Sequence, residues 1–138
     1  MATQYVTFTL DGAHYGVDVA KVQEVLRAQR RTPVPLADAD VAGLVNLRGQ
    51  VVMTIDLRTR LGLPAIPDGQ EPMMVVAQVA GETVSLLVDE IGDVVEVDTD
   101  QFERPPETLV GPMRDLIIGA YKLETGLLLA LDVELATA

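Results

Sequence analysis

The chain has 138 residues, enough for one domain with a proper core, and its 21 acidic against 10 basic residues give a formal charge of −11, which argues against a phosphate-backbone binder. It has no cysteine, one histidine (His14) and one serine (Ser85); disulfides, thiolate nucleophiles and Cys-based zinc sites are excluded, and a Ser–His triad or multi-His metal site is very hard to build. No uncharged apolar run approaches the roughly 18 residues of a membrane span, and the first cation, Lys21, comes too late for a signal-peptide start, so the expected class is a soluble cytoplasmic domain.

Twenty valines and period-two patterns predict short β-strands along most of the chain. Val6, Phe8 and Leu10 alternate with Thr7 and Thr9, Asp11-Gly12 suits a tight hairpin, and Tyr15, Val17 and Val19 return on the partner strand. A helical turn at Val19–Val22 overlaps a strand near Val22–Leu26. Leu44 to Leu47 and Val51 to Leu57 flank Arg48-Gly49, a second hairpin signal, and a helical turn follows over Leu57–Leu61. The run from Gly62 to Pro72, with Pro64 and Pro67 inside it, continues neither a helix nor a central strand and reads as the connection between two halves. Met73 to Val79 and Thr83 to Val88 flank Gly81, and a strand lies near Val94–Val97. A second long loop runs from Glu103 through Pro105-Pro106 to Gly111-Pro112. Leu116 to Leu123 and Leu127 to Val133 flank Gly126, and a last helical turn covers Asp132–Ala136. About ten short strands at this spacing predict barrels or a sandwich.

The two halves resemble each other. Val6, Leu10, Gly12 and Val17 match Val75, Val79, Gly81 and Leu86 at an offset of 69. Val22, Glu24 and Val25 match Val94, Glu96 and Val97 at 72, and Gly43, Leu47, Val51, Ile55, Asp56 and Leu57 match Gly119, Leu123, Leu127, Leu131, Asp132 and Val133 at 76. The growing offset is what loop insertions produce. The expected architecture is all-β: two similar antiparallel barrels of five strands, burying apolar surface between them because each alone is too small for a stable core. The first barrel is expected over about 13–66 and the second over about 73–130 of a single domain 1–138, with terminal segments free to cross between them. Residues 1–69 carry seven cations and seven anions, whereas 70–138 carry three and fourteen. Such polarity either orients protein partners or serves solubility alone.

Chemical motifs are few. There is no G-x-G-x-x-G and no phosphate-binding loop. Asp98-Thr99-Asp100 opens like a calcium loop, but Glu103 and Leu109 stand where Gly and Glu are needed. Asp56 and Asp132 each follow an apolar strand and precede a helical turn, the position of a helix N-cap. A rival enzyme reading uses Asp56, Asp132 or Asp89 on a small polar substrate, and requires a deep pocket with converging carboxylates and a raised pKa. A third reading, an oligonucleotide- or oligosaccharide-binding barrel face, needs a basic or aromatic groove, yet the only aromatics are Tyr5, Phe8, Tyr15, Phe102 and Tyr121. His14, beside a turn, is expected to face solvent. Arg48 stands at a hairpin corner in an apolar stretch. Its planar fork suits an interface anchor and equally an internal salt bridge, for example to Glu24.

Three blocks resemble the CheW family of chemotaxis coupling proteins. They are Tyr15-Gly16-Val17-Asp18-Val19-Ala20-Lys21-Val22-Gln23-Glu24-Val25, then Gly43 to Val52 (G-L-V-N-L-R-G-Q-V-V) followed by Ile55-Asp56-Leu57-Arg58, and Leu86-Leu87-Val88-Asp89 with Val94-Val95. The match runs in order from about Tyr5 to Leu135, and the central N-L-R-G plus I-D-L-R pair is its specific part. The resemblance implies two five-stranded SH3-like barrels around a shared apolar interior, and a non-enzymatic adaptor without cofactor or metal. The implied partners are the cytoplasmic tip of a chemoreceptor and the regulatory domain of the histidine kinase CheA, assembled in arrays at the inner face of the membrane. Nucleic acid and direct membrane insertion are not implied. Related proteins also serve surface motility and developmental signalling. On the matching positions, Val22, Glu24, Gly43 and Arg48 would bind the receptor in a groove near the barrel junction. Arg48 would be the charged anchor, Val22 an apolar contact, and Gly43 would allow close backbone approach. Val34 to Leu36 and the Gly49 turn would face the kinase. Met53 stands where many members carry Pro, which bears on local strand pairing. No extension or receiver domain accompanies the motifs, as expected of a stand-alone coupling protein.

Overall fold

The computed structural model of the protein describes residues 2–124 and 126–137. Among these, eleven strands appear: β1 (Ala2–Leu10), β2 (Ala13–Asp18), β3 (Val22–Arg27), β4 (Val41–Leu47), β5 (Gln50–Asp56), β6 (Met73–Val79), β7 (Glu82–Val88), β8 (Glu90–Asp98), β9 (Phe102–Glu103), β10 (Ile117–Leu123) and β11 (Gly126–Leu131). Three one-turn helices accompany them: α1 (Leu57–Arg60), α2 (Pro112–Leu116) and α3 (Val133–Ala136). A six-stranded sheet has the order β8-β1-β2-β11-β10-β9, and a five-stranded sheet the order β3-β6-β7-β5-β4. The all-β expectation of two barrel-like sheets stands, with the two-residue β9 as the added strand.

The division at 13–66 and 73–130 does not match sheet membership. The five-stranded sheet is one continuous piece of chain, 22–88, and the six-stranded sheet joins β1 and β2 to β8–β11. The chain therefore crosses between sheets at 18–22 and at 88–90. The proline-rich stretch 62–72 is an excursion that returns to the sheet it left. Reciprocal hairpin exchange is the physical reason: β1–β2 from the first repeat completes the second repeat's sheet, and β6–β7 completes the first's. The exchange also sets one parallel pair in each sheet, β2 with β11 and β5 with β7, where antiparallel pairing throughout was expected. The register obeys the repeat. Leu129 and Ala130 lie opposite Tyr15 and Gly16, as Met53 and Thr54 lie opposite Val84 and Ser85.

Strands at the sheet centres bury both faces, which explains apolar runs such as Met73–Ala77 and Leu128–Leu131 that do not alternate. One face of each sheet packs on the other: Phe8, Leu10, Tyr15, Val17, Leu129 and Leu131 meet Ile55, Val75, Ala77, Leu86 and Val88. The opposite faces fill the two barrel interiors, with Val45, Val52, Met74 and Val76 in the first and Tyr5, Val97, Tyr121 and Leu128 in the second. The helical turns start where expected. Asp56 Oδ1 accepts from Thr59 N, and Asp132 Oδ1 from Glu134 N and Leu135 N. Helix α2 lies where the sequence pattern predicts loop and strand; Pro112 opens it after Gly111, a fixed φ where an N–H is dispensable.

Candidate functional site

In the five-stranded sheet β3 and β4 are the two edges. Glu24 lies on β3, and Arg48 sits at the end of β4 in the turn to β5. Arg48 Nη1 donates to Glu24 Oε1 at 3.2 Å and Nη2 to Oε2, so one bidentate pair clasps both edges of the first barrel at its rim. Of the two readings of Arg48 the internal salt bridge is present, and the side chain is still 69% exposed. The hydrogen bonds from Arg48 hold the Glu24 carboxyl below its ordinary pKa, and those to Glu24 raise that of Arg48. Asn46 Oδ1 accepts from Gly49 N at 2.9 Å. Arg48 and Gly49 take φ of +50° and +86°, the left-handed pair of a type I′ hairpin.

Val22 opens β3 opposite Ala77 and lies half-buried at the margin of the core between the sheets. Gly43 is placed differently from its expected role. It is buried in β4, and a Cβ there would come within 2.7 Å of the Thr32 carbonyl oxygen. The backbone that approaches Gly43 is the chain's own: Thr32 and Leu44 exchange two hydrogen bonds of 2.8 Å. The repeat reproduces this device at Gly119, where a Cβ would meet Glu103 O at 2.7 Å and the Phe102 ring. The structure brings Glu24 and Arg48 together and sets Val22 on the same edge strand as Glu24. It leaves Gly43 five residues away from Arg48, about 16 Å along extended chain.

Of the kinase-side candidates, Val34 is half-buried, Leu36 is fully exposed and Gly49 adjoins Arg48. The two expected surfaces therefore share the 48–49 turn. The sequence pattern places Val51 and Met53 in a strand and does not single them out as surface residues. Both point outward from β5, 62% and 45% exposed, three and five residues beyond Arg48. Met53 pairs on both sides, with Leu44 and with Val84, so the ladder is unbroken there.

Of the three carboxylates of the enzyme reading, Asp56 and Asp89 line one hollow of about 480 Å³ under the 62–72 loop, where Asp89 is held by Arg58, and Asp132 lines a separate hollow beside Tyr5 and Lys21. Asp98 caps the 3-10 turn after β8 by accepting from Asp100 N. Four of the five aromatics, Tyr5, Phe8, Tyr15 and Tyr121, are buried. His14 faces solvent.

The model of the CheW-like domain matches residues 4–137. The chain belongs to the CheW family. It is 31% identical over 134 residues to the chemotaxis protein CheW of Treponema pallidum, covering 94% of this chain and 79% of that one. It is 28% identical over 131 residues to CheW of Klebsiella aerogenes, covering 95% and 79%. The crystal structure of the scaffolding protein TtCheW from Thermoanaerobacter tengcongensis superposes with a TM-score of 0.88 at 25% identity, over 99% of this chain and 92% of that chain. No helix among the described residues is long and apolar enough to cross a membrane. The N-L-R-G residues that carried the sequence resemblance end β4 and form its turn to β5, where the edge clasp sits.

Proposed function

We propose that this chain couples chemoreceptors to the histidine kinase CheA, as a binding scaffold that carries out no reaction of its own. The chemotaxis adaptor role follows from its membership of the CheW family along nearly its whole length. The receptor tip, a helical hairpin, docks on the first barrel's rim. Arg48 meets its charged groups, and Val22, with Val51 beside the turn and Met53 further along β5, receives its apolar face. Glu24 orients Arg48. Gly43 acts indirectly, by letting the Thr32 segment seat against β4. The kinase's regulatory domain docks through Val34, Leu36 and the Gly49 turn. The complex gathers the protein at the inner face of the membrane through its partners, without inserting.

One observation carries this reading: a family-motif arginine held in a left-handed turn, its geometry fixed by Glu24, and still mostly open to solvent. An interface anchor needs both preorganisation and access. Co-sedimentation of the protein with receptor-containing membranes and the cognate CheA tests it. Wild-type protein is expected in the pellet with the kinase, and Arg48→Glu, folded by circular dichroism, is expected to stay in the supernatant. Equal sedimentation of the folded variant rejects the anchor.

A further inference from the structure

Four non-glycine residues adopt left-handed backbone among the described residues: Asp11, Leu36, Arg48 and Ala80. Three of them are explained locally, because Asp11, Arg48 and Ala80 each precede the glycine of a two-residue hairpin turn. Leu36 is the exception. It has φ +62° in the turn Val34-Pro35-Leu36-Ala37, closed by Ala37 N–H donating to Val34 O at 3.3 Å. Pro35 sets the first corner; the second corner is a position for Gly or Asn. A leucine there is strained, and its side chain, 105% exposed, recovers nothing by packing.

The loop is pinned. Thr32 bridges to Leu44, Val41 N donates to Asp38 O at 3.0 Å, and Asp56 N donates to Asp40 O at 2.7 Å. Leu36 is therefore held outward from an ordered frame. The same connection begins with Arg27, Arg30 and Arg31. Among the described residues, none of these three has a carboxylate within ion-pair distance, and neither have Arg104 and Arg114 of the second half, whereas Lys21, Arg48, Arg58, Arg60 and Lys122 all do. Arg31 Nη1 donates to the Gln29 carbonyl at 3.2 Å, so what the three lack is a carboxylate, and in a chain of charge −11 they make a local positive surface.

We propose that Leu36 is an apolar knob and Arg27, Arg30 and Arg31 its cationic flank, together docking into an apolar socket rimmed by carboxylates on the kinase's regulatory domain. This rests on the coupling role above and adds the chemistry of the partner's surface. The strain is kept because the side chain is used outside the molecule. The arginines select an acidic surface and steer the approach.

The test titrates the full chain into the isolated regulatory domain of its cognate CheA, by calorimetry and by stopped-flow association at several salt concentrations. Leu36→Asn suits the left-handed corner and removes the knob. It is expected to weaken binding roughly tenfold or more, with a melting temperature no lower than wild type and receptor-membrane binding unchanged. Leu36→Met is expected to bind as wild type. The double variant Arg30→Glu, Arg31→Glu is expected to associate more slowly, with a flatter salt dependence. Wild-type affinity in Leu36→Asn overturns the inference and leaves the coupling role standing, as does an unchanged salt dependence in the arginine variant. Loss of receptor binding along with kinase binding in Leu36→Asn overturns it too, as does an effect confined to self-association of the chain. Absence of wild-type binding to the kinase domain removes the coupling role itself.

Discussion

Arg58 and Asp89 form a buried two-point ion pair at the junction of the barrels, with Nε donating to Oδ1 at 2.7 Å and Nη2 to Oδ2 at 2.5 Å. Their side chains are 7% and 6% exposed. Nη1 also donates to the carbonyls of Pro64 and Ala65, and Asp11 N donates to Asp89 Oδ2. One guanidinium thus ties α1, the crossing from β7 to β8, the β1–β2 turn and the 62–72 loop. Removing one partner strands a buried charge. Arg58→Ala is therefore expected to cost about 3–5 kcal/mol, read as a shift of the urea midpoint. Arg58→Met with Asp89→Leu is expected to lose less than either single change, since it strands no charge.

The same pair sets the acid limit of the fold. Burial alone would raise the pKa of Asp89, but the hydrogen bonds from Arg58 and from Asp11 N, with the Arg58 charge, bring it below its ordinary value. A carboxyl depressed in the folded state adds stability that is fully present above its unfolded pKa, near about 4, and is lost as pH falls through the lower folded value. Urea midpoints are expected to drop below about pH 4 in the wild type. In Asp89→Asn the curve is expected to start lower and fall less over that window.

Gly43 and Gly119 are expected to be structural. At Gly43 the φ of +138° is strained for any other residue, and the obstacle to a Cβ is backbone, which cannot swing aside. Gly43→Ala is expected to cost about 1–3 kcal/mol, with Gly119→Ala also destabilising because Glu103 O is equally close. If Gly43→Ala leaves the urea midpoint unchanged yet abolishes receptor co-sedimentation, the glycine faces the partner and the assignment here fails.

That pair of glycines shows how far the sequence could be read. Their alignment at an offset of 76 exposed the repeat, together with Asp56 and Asp132, because each answers a local demand: a crowded backbone or a helix cap. What crowds the glycines was not legible, since β9 and the Thr32 bridge are too short to show a strand pattern. Hairpins are local, so β1–β2, β4–β5, β6–β7 and β10–β11 were found. Which sheet each hairpin joins is decided by long-range parallel pairs, and exchanging β1–β2 for β6–β7 changes no local signal. At the site, Arg48 announced itself by residue type and setting. Val51 and Met53 did not, because a run of apolar residues does not say which of them is left uncovered.

The clasp between Glu24 and Arg48 separates two ways in which Arg48 serves binding. The repeat aligns Glu96 and Glu124 with Glu24 and Arg48, so the second half has a carboxylate at both of the positions that form the clasp in the first. Arg48→Glu gives the first barrel that same arrangement and is expected to lower the melting temperature slightly and abolish receptor binding. The swap Glu24→Arg with Arg48→Glu rebuilds the ion pair in reverse. Its melting temperature is expected to return toward wild type, because attraction across the edges is restored, while the cation now springs from β3 instead of the turn. Receptor co-sedimentation is expected to stay low if the guanidinium itself touches the receptor. Full recovery of binding in the swapped protein shows instead that Arg48 works only by holding the edge strands together.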